Sequence, residues 1–86
     1  MTPKEIATHY AAKAFDTPEA AQAAGFVLTE TAAPRNVWNK ASAASALVLK
    51  LREKRDRGEV EEIGLVIEPF RVTGCYKPHP SEAPAL

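Results

Sequence analysis

This chain has little material for disulfides, metal clusters or membrane spans. It contains one cysteine, Cys75, and two histidines, His9 and His79, in 86 residues. A lone cysteine excludes a disulfide framework. Neither Cys75 nor either histidine shows a paired spacing such as Cys-x-x-Cys, so no metal and no cofactor are expected. The longest strictly apolar run, Ala46 to Leu49, has four residues, whereas a bilayer span needs about 20. Lys4 and Glu5 lead into an amphipathic stretch, so no signal peptide and no membrane partner are expected, and the default location is the cytoplasm. Large apolar side chains are also scarce. Sixteen of the apolar residues are alanine and only 23 are larger, which allows one core at most and a marginally stable monomer. The composition still excludes collagen, a coiled-coil rod and a wholly disordered chain.

Local signals give three helices followed by strands. Thr2-Pro3-Lys4-Glu5 has the form of a capping box, opening a helix expected to run to about Phe15 with Ile6, Tyr10 and Ala14 on one stripe. Thr17-Pro18-Glu19 starts a short second helix that stops at Gly25. Residues 26–29 suit either a short strand or an extended connection. Pro34 or Asn36 then starts a long third helix to about residue 57, with Val37, Ala41, Ala44, Val48 and Leu51 on a buried stripe widened by Trp38 and Leu47, and Gly58 at its end. From Val60 the period changes. Ile63, Leu65 and Ile67 alternate with Glu62, Gly64, Val66 and Glu68, Pro69 marks a bulge, corner or gap, and Phe70, Val72 and Gly74 resume the alternation.

The expected fold is α+β, with three helices, the third longest, packed on one face of a small antiparallel C-terminal sheet. Residues 1–76 form the domain and 77–86 a flexible proline-rich tail. Val48, Leu51, Ile63, Leu65, Ile67 and Phe70 are expected to be buried together.

Signals for catalysis are absent: there is no Walker loop, nucleophile elbow, dinucleotide turn or His-Glu-x-x-His helix. Glu59, Glu61, Glu62 and Glu68 read as a solvated strand edge. A non-enzymatic binding protein is expected. Charge is more informative. The net charge is zero, yet residues 1–34 carry −2, residues 35–57 carry +5 and residues 58–86 carry −3. The positive block comprises Arg35, Lys40, Lys50, Arg52, Lys54, Arg55 and Arg57 against Glu53 and Asp56. Such a helix suits a polyanion, although its dipole also favours cations at its C-terminus and the acidic neighbours offset its field.

Thr17 to Phe26, with small Ala21, Gly25 in a turn and apolar Phe26 directly after it, resembles the first helix and turn of helix-turn-helix DNA-binding regulators, including small phage repressors. The resemblance covers about ten of the 86 residues. It continues if the turn is lengthened past Thr31 and Pro34, so that Trp38 and Ala41 take the anchoring places. It then implies Arg35, Asn36, Asn39 and Lys40 facing DNA, with the two final strands standing where a winged helix has its wing. Phosphate contacts would come from Lys50, Arg52, Lys54, Arg55 and Arg57. The turn and the +5 helix together place a DNA-binding transcriptional regulator first. The alternative is a protein-directed inhibitor or adaptor of the anti-defence type that mobile elements encode, blocking a larger partner. A third is a subunit that completes its core by oligomerising, most simply as a homodimer.

Overall fold

Among the described residues, four strands form a single mixed sheet in the order β1-β3-β4-β2, with three helices distributed over both of its faces. The computed structural model describes residues 1–80, save the side chains of Val37 and Trp38. The elements are α1 (Pro3–His9), β1 (Lys13–Phe15), α2 (Pro18–Ala23), β2 (Val27–Ala32), α3 (Val37–Asp56), β3 (Val60–Ile67) and β4 (Val72–Pro78).

The capping signals work as the sequence suggests. The amide of Glu5 donates to the Thr2 hydroxyl at 3.2 Å and the Thr2 amide to the Glu5 carboxylate at 2.9 Å. These bonds hold the Glu5 carboxyl below its ordinary range. Thr17 accepts from the Ala20 amide at 3.1 Å, and Asn36 accepts from the Asn39 amide at 2.9 Å. Gly25 closes α2 at φ 87°, a left-handed conformation that glycine adopts without strain.

The first helix ends at His9, well short of Phe15. Ala11 takes φ 55°, Ala12 donates back to the Ala7 carbonyl at 2.7 Å, and Lys13–Phe15 pair in parallel with Gly64–Val66. Alanine favours helix, but three residues of long-range pairing and the cover they give β3 override that preference. The sheet is therefore mixed and not purely antiparallel: β3 pairs with β4, and β4 with β2, antiparallel. Of residues 26–29, Phe26 precedes the sheet and Val27–Thr29 open the longer strand β2, whose register with β4 shifts between Leu28 and Thr31.

The helices do not share one face. On one side α1 and α3 bury Ile6, Ala7, Ala44, Leu47, Val48 and Leu51 against Val60, Ile63, Leu65 and Val72. On the other, α2 supplies Ala21, which joins Phe26, Val66 and Cys75, with Phe15 and Leu28 beside them. Phe15 and Phe26 meet edge to face at 5.0 Å between ring centroids. Gly64 is a point of close approach: a Cβ there would lie 2.9 Å from the Cys75 sulfur and 3.1 Å from the Lys13 carbonyl. Of the expected core, Val48, Leu51, Ile63 and Leu65 are buried and Ile67 partly so. Phe70 is the exception, 86% exposed in the β3–β4 turn. Strand β4 carries regular structure to Pro78, past residue 76; of the expected tail, residues 81–86 lie outside the described residues.

Candidate interaction surface

The cations expected to contact a partner fall into two groups at opposite ends of α3. Near its C-terminus each has a partner within the fold. Lys50 lies 3.3 Å from Glu30 on β2, and Arg52 lies 3.6 Å from Asp56 while standing over the Tyr10 ring at 5.6 Å. Lys54 stands over the Tyr76 ring at 5.8 Å. Arg57 pairs with Glu59, which holds its guanidinium pKa above the ordinary value. Arg55 is half-buried and donates to the Tyr10 carbonyl at 3.0 Å and the Ala11 carbonyl at 3.5 Å, tying the end of α1 to α3. These side chains therefore diverge, some towards β2 and β4 and others towards α1. They do not form one phosphate-facing row. Exposed pairs of this kind add only about 0–1 kcal/mol each, but they cancel much of the block's field.

The first turn of α3 differs. It contains no acid, although the positive end of a helix dipole favours one. Asn36 is occupied as the N-cap, while Arg35 and Asn39 are exposed. Lys40 reaches across to the β3–β4 turn and donates to the Pro69 carbonyl at 3.5 Å. A carbonyl orients the ammonium without neutralising it.

That turn is held at both ends. The Glu68 amide donates to the Arg71 carbonyl at 2.9 Å, and the Arg71 guanidinium forks onto the Glu68 carboxylate at 2.8 and 3.3 Å. The pairing holds the Arg71 pKa above its ordinary value. Pro69 restricts its own φ, and Phe70 projects from the closed loop into solvent. Sequence reasoning missed this residue because the alternation of Phe70, Val72 and Gly74 reads as one face. The signal was in Glu68-Pro69-Phe70-Arg71, where opposite charges three apart flank a proline.

The Gly25 turn that resembles helix-turn-helix regulators opens onto strand β2, and α2 and α3 pack on opposite faces of the sheet. Ala41 is half-buried against the α1–α3 core, and the side chain of Trp38 lies outside the described residues. The final two strands are the centre of the sheet. Burial pushes the Cys75 thiol up to about 12, and among the described residues no three His, Cys, Asp or Glu side chains gather to hold a metal ion. No described helix is long and apolar enough to cross a membrane. No protein-family model, curated protein or solved structure matches this chain.

Proposed function

We propose that this chain is a small, non-catalytic binding protein of the cytoplasm, an inhibitor or adaptor that acts by docking on a larger protein. The observation that carries this reading is Phe70, 86% exposed on a turn closed by a bidentate ion pair and a backbone hydrogen bond. An aromatic side chain presented from an ordered backbone is a common anchor of protein interfaces. The cations of the C-terminal half of α3, which a DNA reading needs for phosphate contacts, have partners inside the fold.

A DNA-binding regulator is the second reading, favoured by exposed Arg35 and Asn39 beside Lys40. The two separate in a titration of purified protein with labelled genomic fragments at two salt concentrations. Protein-directed binding gives no retention on DNA even at low salt. Retention that decays steeply with salt, and weakens when Lys50 and Lys54 are both neutralised, establishes the DNA reading instead.

A further inference from the structure

We infer that residues 11–15 are a switch segment: paired with β3 in this structure, and wound on as a continuation of α1 in a second state that bares the edge of β3. The helix α1 stops in a turn where the Ala11 amide donates to the Thr8 carbonyl at 3.1 Å and the Ala12 amide to the Ala7 carbonyl at 2.7 Å, with Ala11 at φ 55°. Glycine is the usual residue at that place, and the Cβ of alanine makes the left-handed conformation costly. The local sequence favours winding instead. Ala11, Ala12, Lys13 and Ala14 are strong helix formers, and Tyr10 and Ala14 prolong the stripe begun by Ile6. As a strand the same segment gains little: Lys13 and Ala14 are exposed, and Phe15 is only partly buried, 5.0 Å from Phe26. Three residues rise about 10 Å in a strand and about 4.5 Å in a helix, so winding Lys13–Phe15 breaks their pairing with Gly64–Val66.

Arg55 is the latch. A continued helix would bring the Ala14 amide to the Tyr10 carbonyl and the Phe15 amide to the Ala11 carbonyl. Those are the two carbonyls to which the Arg55 guanidinium donates, at 3.0 and 3.5 Å, while Arg52 stands over the Tyr10 ring. The guanidinium thus replaces the donors that winding would supply, and the part-buried Tyr10 carbonyl keeps a partner in the unwound state. Release of the latch turns β3 from an inner strand into an outer one and takes the Phe15 ring off Phe26.

The test is NMR relaxation dispersion of amide nitrogens and Cα carbons, on the isotope-labelled full chain and on Arg55→Met. The expected result is exchange at residues 10–16 and at Gly64–Val66, with minor-state Cα shifts of residues 11–15 on the helical side. Arg55→Met should raise the minor population about tenfold. Where that variant does not fold, Arg55→Lys, which keeps the charge and loses the fork, takes its place. Ala11→Gly, introduced into whichever chain shows the exchange, removes the left-handed cost and weakens the helix, so it should lower the minor population about tenfold. Minor-state shifts at unfolded values, or exchange that spreads through α3 and β4, reduce the event to fraying or global unfolding and overturn the switch. Flat profiles in both wild type and the Arg55 variant overturn it too, as does a minor population that fails to fall in Ala11→Gly.

Discussion

At the C-terminal end of α3, Lys50, Arg52 and Arg57 each face a carboxylate and Arg55 caps the carbonyls that end α1, whereas at the N-terminal end Lys40 meets only a neutral carbonyl and Arg35 stands exposed. The same residue types at the two ends of one helix thus have different consequences. The crowded end is tied into the fold, whereas the sparse end reaches the turn that carries Phe70 only through the Lys40–Pro69 contact. A charge count along a helix says nothing about field until the counter-charges of its spatial neighbours are known. Here they come from Glu30 on β2, from Asp56 on α3 itself and from Glu59 in the turn after α3.

The comparison breaks most visibly through stability. Leu51→Ala, in the buried stripe of the crowded end, should cost about 2–5 kcal/mol, measured by urea denaturation. Phe70→Ala should stay within about 0.5 kcal/mol of the parent. Equal losses would mean that the turn packs on the domain. Next in size is Arg55→Met, which leaves the part-buried Tyr10 carbonyl without its partner. A loss of roughly 1–3 kcal/mol is expected, with faster hydrogen exchange of the amides of residues 12–15 as its local mark.

Cys75 gives an effect confined to alkaline solution. Its thiol holds its proton to about pH 12 in the folded chain against an ordinary value of 9.0. The unfolded chain therefore loses the proton first, so the stabilisation is complete below pH 9 and is lost as pH rises towards 12. Thermal melts of wild type and Cys75→Ala across that window should converge in their pH dependence at neutral pH and diverge above it. Smallest of all, Lys50→Met and Arg57→Met should each shift stability by no more than about 0.5 kcal/mol and leave partner binding unchanged. A clear loss of binding from either would move the interaction surface to the opposite end of the helix.

Local chemistry made much of the fold readable: the caps at Thr2, Thr17 and Asn36, the stop at Gly25 and the buried stripe of Val48 and Leu51 all follow from neighbours within a few residues. What was not readable depends on distant partners. Lys13–Phe15 look helical until Gly64–Val66 are beside them. Ile63-Gly64-Leu65-Val66-Ile67 was read as one apolar face with Val66 opposite. A near-continuous apolar run is also what a strand covered on both sides presents, and Val66 and Gly64 are buried under Phe26 and α2. For the site, the positions of Arg35, Asn39 and Lys40 were legible as candidates. The neutralisation of Lys50 by a residue 20 positions earlier was not.

The break in register between Leu28 and Thr31 bears on how copies of this chain behave when crowded. β2 is the longer of the sheet's two outer strands, since β1 has only three residues. Any chain-to-chain growth has its best template there, along the outward amides and carbonyls of Val27–Ala32. The irregularity at Thr29 and Glu30 interrupts that template in its middle and sets an exposed carboxylate at the break. Resistance to fibre growth is thereby concentrated in two residues. Deleting Thr29 to restore an even register should convert a clear concentrated solution into one that binds thioflavin.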